Sequence, residues 1–284
     1  MGIISGKTAI AAGYATTAPS ALLPMERLPA KAVFPPTTWQ KELAMACARR
    51  AFLGLAALGM AGAAFGAVQR GANMKHVVLL GDSVFDNARY VDGKPDVLAR
   101  LRSHLAEGWK ASLLAVDGSV TRDIAAQVAR LSGDASHLVM SIGGNDALMR
   151  QDILEQPSRS VGEALALMAR LLREFESSYR DAVASAMQPG LPLTVCTIYN
   201  GNFPDPAYRE RIMAAAALFD DVIIRVATEH RLGVLDLRSI CSQPSDYANA
   251  IEPSSSGADK IAQAIVRAVG QHDATRPGAL ILSR

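Results

Sequence analysis

Three short strings in this chain bring together groups that could attack an acyl carbon and hold the charge that follows. They are Gly81-Asp82-Ser83, Asp117-Gly118 and Gly143-Gly144-Asn145-Asp146. A serine hydroxyl becomes a nucleophile when a base takes its proton. The backbone N–H of Ser83, the uncrowded N–H of Gly118 and the carboxamide of Asn145 are suitable donors to the oxyanion that such an attack creates. Each residue also has a plainer use: Ser83 as a helix N-cap, Gly118 as a turn glycine, Asn145 in an Asx-turn. Asp82, Asp117 and Asp146 lie close to turn glycines and are read as carboxylates that hold loop backbone amides.

These groups can meet only if the fold brings their loops to one place. Short apolar runs at 77–80, 112–116, 138–142, 193–198 and 234–237 suit strands buried on both faces. Helical patterns at 94–105, 121–131, 161–187, 207–230 and 258–269 lie between or after them. Such alternation specifies a parallel sheet with right-handed crossovers and helices on both faces. The expected domain is a three-layer α/β/α sandwich on a five-stranded parallel sheet. All three strings then leave strands at the carboxyl edge, where such sheets bind ligands.

Over 284 residues the formal net charge is only +2, which gives no footprint for nucleic acid. Cys47, Cys196 and Cys241 are widely spaced, without the pairing of a disulfide framework or zinc site. Residues 1–73 read as an extension and 74–284 as the domain. The first 48 residues are rich in Ala, Pro and Thr, as disordered segments are. The uncharged stretch 51–69 follows Arg49-Arg50 and is long enough to span a bilayer. It reads either as an export signal or membrane anchor, or as sequence upstream of a natural start at Met74. The first alternative places the protein outside the cytoplasm or on a membrane, the second in the cytoplasm.

In order and spacing the three strings resemble the SGNH hydrolases, also called GDSL esterases, from about Met74 to about Val269. The resemblance implies a flavodoxin-like sheet and a serine ester hydrolase that works through an acyl-enzyme on a small-molecule substrate, a small or acyl ester. It implies no metal or organic cofactor. The family carries an Asp-x-x-His pair before its last helix. Here Ile251-Glu252-Pro253-Ser254-Ser255-Ser256-Gly257 fits that frame, with Glu252 at the histidine position and Asn249 at the aspartate position. A subset of the family is similar in sharing Ile-Glu-Pro-Ser, Asp246-Tyr247 and His137-Leu138, so the substitution reads as a subfamily trait.

The resemblance therefore casts Glu252 as the base, with Asn249 or Asp246 behind it. A glutamate with a pKa of about 4.3 is a poor acceptor at neutral pH, so burial or the charges of Asp82 or Asp246 would have to raise it. The plainer use of Glu252 is to cap the last helix. His76, His104, His137, His230 and His272 all belong by topology to the amino edge, away from Ser83. Asp236 and Arg238 leave the last strand at the carboxyl edge, as an ion pair supporting the site or as a contact for an acidic substrate. The loop 199–203 is read as pocket wall. Two other functions fit the same strings: ligand binding on a degenerate hydrolase fold, and acyl transfer by the same serine.

Overall fold

Alternate residues of the first strand feed two separate cores, and the whole architecture follows from that alternation. In the computed structural model, which describes residues 74–271 and 280–283, β1 (Lys75–Gly81) sends Val77 and Leu79 to one face and Val78 and Leu80 to the other. Both faces are apolar because both are covered, as a parallel sheet requires.

The remaining strands are β2 (Trp109–Leu113), β3 (His137–Ser141), β4 (Leu193–Cys196), β5 (Gly233–Leu235) and β6 (Leu280–Leu282). They form one sheet in the order β2-β1-β3-β4-β5-β6, and every pairing is parallel. The expected class holds, but the sheet has six strands rather than five. The extra one is the three-residue edge strand β6, which pairs with β5. The order reverses between β1 and β3, and that switch point is where a doubly wound sheet opens a crevice.

One face is covered by α1 (Val97–His104) and α7 (Ser255–Gly270), whose Leu101, Ile261 and Ile265 pack on Val77 and Leu79. The other is covered by α2 (Ile124–Val128), α4 (Val161–Met187) and α5 (Pro206–Glu229). On α4 the buried residues Leu171, Phe175, Tyr179, Ala182 and Ala186 recur at helical spacing. Its start is fixed by Ser160, whose hydroxyl accepts the Glu163 N–H at 3.1 Å. Asp205 caps α5 in the same way, with Pro206 in the first turn.

Two short helices complete the carboxyl edge, α3 (Gly144–Leu148) and α6 (Leu237–Ile240). Several expected boundaries move, among them that of the first helix, which starts at Val97, and that of β4, which ends at Cys196. β2 starts at Trp109 and ends at Leu113, where the regular register is lost because the N–H groups of Leu114 and Ala115 both bond to the Leu79 carbonyl and that of Val116 to the Gly81 carbonyl. β5 stops at Leu235, since Asp236 accepts the Arg238 N–H and caps α6. The helix expected at 121–131 is a 3-10 turn, Thr121–Asp123, followed by the five-residue α2. The extension 1–73, with Cys47 and the apolar stretch 51–69, lies outside the described residues, as does His272. Among the described residues no helix is long and apolar enough to cross a membrane.

Candidate active site

β1 ends on Gly81, and no other residue could stand there. Its φ is +129°, and a Cβ would fall 1.8 Å from the Ser141 carbonyl oxygen of β3. Buried Gln127 fixes both sides of this glycine, accepting its N–H at 2.7 Å and donating to its carbonyl at 2.8 Å. The chain then turns tightly. Asp82 Oδ1 accepts the Val84 N–H at 3.1 Å, and the Asp82 carbonyl accepts from Phe85 and Asp86. Ser83 caps no helix, since the next helical turn begins after Asn87. Its hydroxyl instead donates to the Glu252 carboxylate.

Glu252 is 4 % exposed, and its Oε2 is buried without a hydrogen-bond partner. Burial pushes its carboxyl up to about 7; the bond from Ser83 opposes this and the charge of Asp117 adds to it. Asp82 is likewise pushed up to about 7, by burial first and then by the charges of Glu252 and Asp146, against the pull of the Val84 N–H. Two buried carboxyl groups with near-neutral pKa values therefore flank one serine. Proximity of that kind is characteristic of functional sites.

The loop that carries Glu252 is tied down from several sides. Asn249 Oδ1 accepts the N–H groups of Ile251 and Glu252, both at 2.9 Å. Asn87, fully buried, donates to the Pro253 carbonyl at 3.0 Å, and the Tyr199 hydroxyl donates to the Ile251 carbonyl. Asp246 is buried against Lys260 at 2.6 Å and accepts the Gln243 N–H. Asn249 and Asp246 thus shape the loop's backbone, and neither stands behind the Glu252 carboxylate as expected. Asp246 is not the charge that raises Glu252 either; burial and Asp117 are. Nor does Glu252 cap α7, because Ser254 does, accepting from Ser256 and Gly257 at 3.2 Å each.

Across the switch point, Asn145 Nδ2 donates to the Ser119 carbonyl at 2.9 Å. A carboxamide nitrogen carries two hydrogens, so this bond orients the group and leaves one N–H for a ligand. Asp146 accepts from both the backbone and the hydroxyl of Thr121, at 3.0 and 2.7 Å, and so holds loop backbone as expected. Asp117 does not. Its carboxylate binds the side chains of Arg89 and Tyr90 instead, at 3.1 and 2.9 Å. Gly118 has φ +82°, a left-handed conformation that favours glycine, and sits beside the Ser119 carbonyl that orients Asn145. It is not among the residues that line the cavity.

Ser83, Asn145 and Glu252 share one cavity, which runs from the switch point between α4 and α5. Tyr199, Gly201 and Phe203 line it, so the loop 199–203 is indeed pocket wall. Asp236 pairs with Arg238 at 2.7 Å and accepts from Thr197 at 3.2 Å, supporting the end of β4. The described histidines lie elsewhere. His76 and His137 begin β1 and β3, His104 binds Asp259 at 2.8 Å, and His230 ends α5. Among the described residues no group of three or more His, Cys, Asp or Glu side chains could hold a metal ion.

The profile of the GDSL-like lipase/acylhydrolase family matches residues 79–260, well over half of the chain. The chain belongs to that family. Its enzymes are carboxylic ester hydrolases of the esterase and lipase type. Among solved structures, this GDSL-like hydrolase shares its fold with an extracellular lipase from Streptomyces rimosus, at TM-score 0.51 and 18 % identity over 70 % of this chain and 100 % of that one. A phospholipase A1 from Streptomyces albidoflavus matches at TM-score 0.52 and 16 % identity, over 70 % and 99 %. A GDSL lipolytic protein from Veillonella parvula matches at 0.53 and 12 %, over 70 % and 100 %. No curated protein sequence matches this one.

Two residues that build the hydrolase's site, Gln127 and Asn87, went unread in the sequence, and Tyr199 was read only as pocket wall. All three place a side chain on the backbone of a site loop. A signal existed for Gln127, an amide on the buried side of the short apolar helix pattern Ile124-Ala125-Ala126-Gln127-Val128. A buried polar group needs a partner, and the nearest loop glycine supplies one.

Proposed function

We propose that this ester hydrolase works through an acyl-enzyme on Ser83, with Glu252 in place of the histidine base. The ionised Glu252 takes the Ser83 proton as Oγ bonds to the ester carbonyl carbon. The N–H groups of Ser83 and Gly118 and the Nδ2 of Asn145 receive the oxyanion. When the tetrahedral intermediate collapses, the carbon–oxygen bond to the alcohol breaks, and Glu252 returns its proton to the departing oxygen. Water then repeats the sequence, giving its proton to Glu252 and its oxygen to the acyl carbon, and Ser83 is regenerated as the acid leaves.

The observation that carries this reading is the hydrogen bond from Ser83 to a buried carboxylate whose second oxygen has no partner. A pKa of about 7 suits the exchange, because a general base works best when its pKa lies near the working pH. Asp82 stands nearby as a second buried carboxyl, itself pushed up to about 7 by burial and by the charge of Glu252. Gly118 enters through its left-handed backbone, between the Asp117 that faces Glu252 and the Ser119 that orients Asn145.

Labelling with a fluorophosphonate and mapping the modified peptide tests the assignment directly. Ser83 alone should carry the adduct. Modification of Ser254, Ser255 or Ser256 would move the nucleophile to the start of α7, and no modification at all would favour ligand binding on a hydrolase fold.

A further inference from the structure

Beyond the polar end at Ser83, the cavity is lined almost entirely by hydrocarbon. Along α5 the lining residues are Ile212, Ala215, Ala216 and Phe219, spaced i, i+3, i+4 and i+7, which makes a single stripe on one helix face. Met168 and Leu171 of α4 face them, and Ile153 and Leu154 of the 3-10 turn Gln151–Glu155 complete the wall. The two polar lining residues far from Ser83 are already engaged. Arg150 pairs with Glu174 at 2.6 Å, and Gln151 accepts from the Tyr208 hydroxyl at 2.9 Å. With the Arg211–Glu155 pair at 3.2 Å, these contacts tie the turn to α4 and α5 and keep charge out of the slot.

The slot has a direction and a length. Its one polar end holds the nucleophile, so the portion of an ester that lies along it begins at the carbonyl carbon. A stripe seven residues long on a helix extends ~10 Å, at about 1.5 Å per residue. A zigzag hydrocarbon with bonds of about 1.5 Å advances ~1.3 Å per carbon, so the stripe matches roughly eight carbons. Alanine at 215 and 216, between Ile212 and Phe219, leaves the width of a straight chain where larger side chains would fill it. Sugars or other polar acceptors would leave their hydroxyls unbonded against these walls, at a high desolvation cost.

We propose that the slot between α4 and α5 holds the acyl chain of an unbranched, medium-chain fatty acyl ester of roughly eight carbons, estimated from helix rise and bond length. The inference rests on Ser83 being the acylated residue. Its prediction concerns chain length, and the hydrolase reading alone does not make one. Burying each additional methylene should raise kcat/KM by roughly two- to fourfold until the wall ends, since a buried methylene is worth a factor of about four in binding.

The test is a series of p-nitrophenyl esters from acetyl to dodecanoyl. The expected profile climbs to a maximum near octanoyl and then levels or falls. A maximum at acetyl or propionyl would overturn the slot while leaving the hydrolase assignment intact. Ala215→Phe, at a half-buried position, should lower the octanoyl-to-acetyl ratio by ~10-fold and shift the maximum to shorter chains, on the scale of filling space for several methylenes. An unshifted maximum in a variant that melts like the parent would place the chain elsewhere. If no ester is turned over, octanamide and acetamide probe the slot independently, because their heads are uncharged. A rise in Tm with octanamide alone supports the slot although the hydrolase reading has failed, and no rise with either overturns both.

Discussion

The two edges of the sheet each hold a serine beside an acidic group, and the edge without a histidine is the one proposed as catalytic. At the amino edge, His76 stands 2.9 Å from the Ser112 hydroxyl and 3.1 Å from Asp134, distances that would suit a Ser-His-Asp triad. At the carboxyl edge Ser83 has only Glu252. Yet His76 has all its neighbours bonded. Ser132 and Ser136 surround it, and Lys110 pairs with Asp134 and holds its carboxyl well below the usual range. Ser112 sits within the β1–β2 ladder. The carboxyl edge brings together a cavity, an oriented donor at Asn145 and a carboxylate oxygen with no hydrogen-bond partner, a combination that the described residues of the amino edge do not show.

The comparison teaches that reactivity follows the unsatisfied group. A network whose groups are all engaged is a structural clamp, and Asp246, six residues from Glu252, is held in a related way by its ion pair with Lys260 at 2.6 Å, although its Oδ1 accepts no hydrogen bond. The sharpest way to break this reading is to remove the two serines in turn. Ser83→Ala should cost ~10,000-fold or more in kcat, the scale on which a lost nucleophile is felt, while Ser112→Ala should stay within about threefold, as for a group outside the site. Equal losses, measured on folded protein, would erase the distinction between the edges.

Glu252→Gln comes next. It keeps the bond to Ser83 and removes the basicity, so kcat should fall roughly 100- to 10,000-fold. The sign of the pH dependence follows from the raised pKa. Only the ionised carboxylate accepts a proton, so activity of the native enzyme should rise as pH climbs through about 7. In the glutamine variant that limb should vanish from the residual rate. Asn145→Ala is expected to cost ~100- to 1000-fold in kcat with a smaller change in KM, as for other single oxyanion donors. A change confined to KM would reduce Asn145 to a wall residue.

Asp82→Asn has a smaller effect and a definite direction. The groups facing Asp82 are Glu252, Asp146, Cys196 and Tyr199. Removing its charge should let Glu252 ionise more readily and move the acidic limb down by up to ~1 unit, while asparagine still accepts the Val84 N–H. Stability should change as well. Asp82's pKa is raised in the fold from 3.8 to about 7, so its contribution is fully present below the lower value and is lost as pH rises through the upper one. The native Tm should therefore drop between pH 5 and pH 8, and less so in the variant.

Much of this was legible in the sequence because strand–loop–helix alternation forces strand-end strings to one edge. Ser83 and Asn145 were found from the strings around them and Glu252 from the resemblance to the family's Asp-x-x-His frame, and all three line the cavity. The slot itself could not be read. Leu171, lining it, and Phe175, in the core, fall on the same helical period, and periodicity does not say whether a face meets protein or empty space. Asn249 was misassigned for a related reason. Its position in the string was right, but whether a side chain turns to a carboxylate or to the backbone N–H two residues on depends on the loop's dihedrals. The three residues of β6 are too few to show any period.

His76→Ala sharpens the comparison at its quiet end. If the amino-edge network is a clamp, its loss should leave kcat/KM within about twofold, because a change that touches only structure leaves the transition state's contacts intact. It should nonetheless destabilise the domain, since Ser112 and Asp134 lose their bonds to the imidazole. Unmaking partly buried hydrogen bonds of this kind costs about 1–3 kcal/mol. At roughly 2–4 °C per kcal/mol for a domain of this size, Tm should drop by ~2–12 °C. A well-folded His76→Ala protein with turnover lowered by ~1000-fold, the scale of a missing general base, would make the amino edge the seat of catalysis and turn the carboxyl-edge cavity into a binding site for something else.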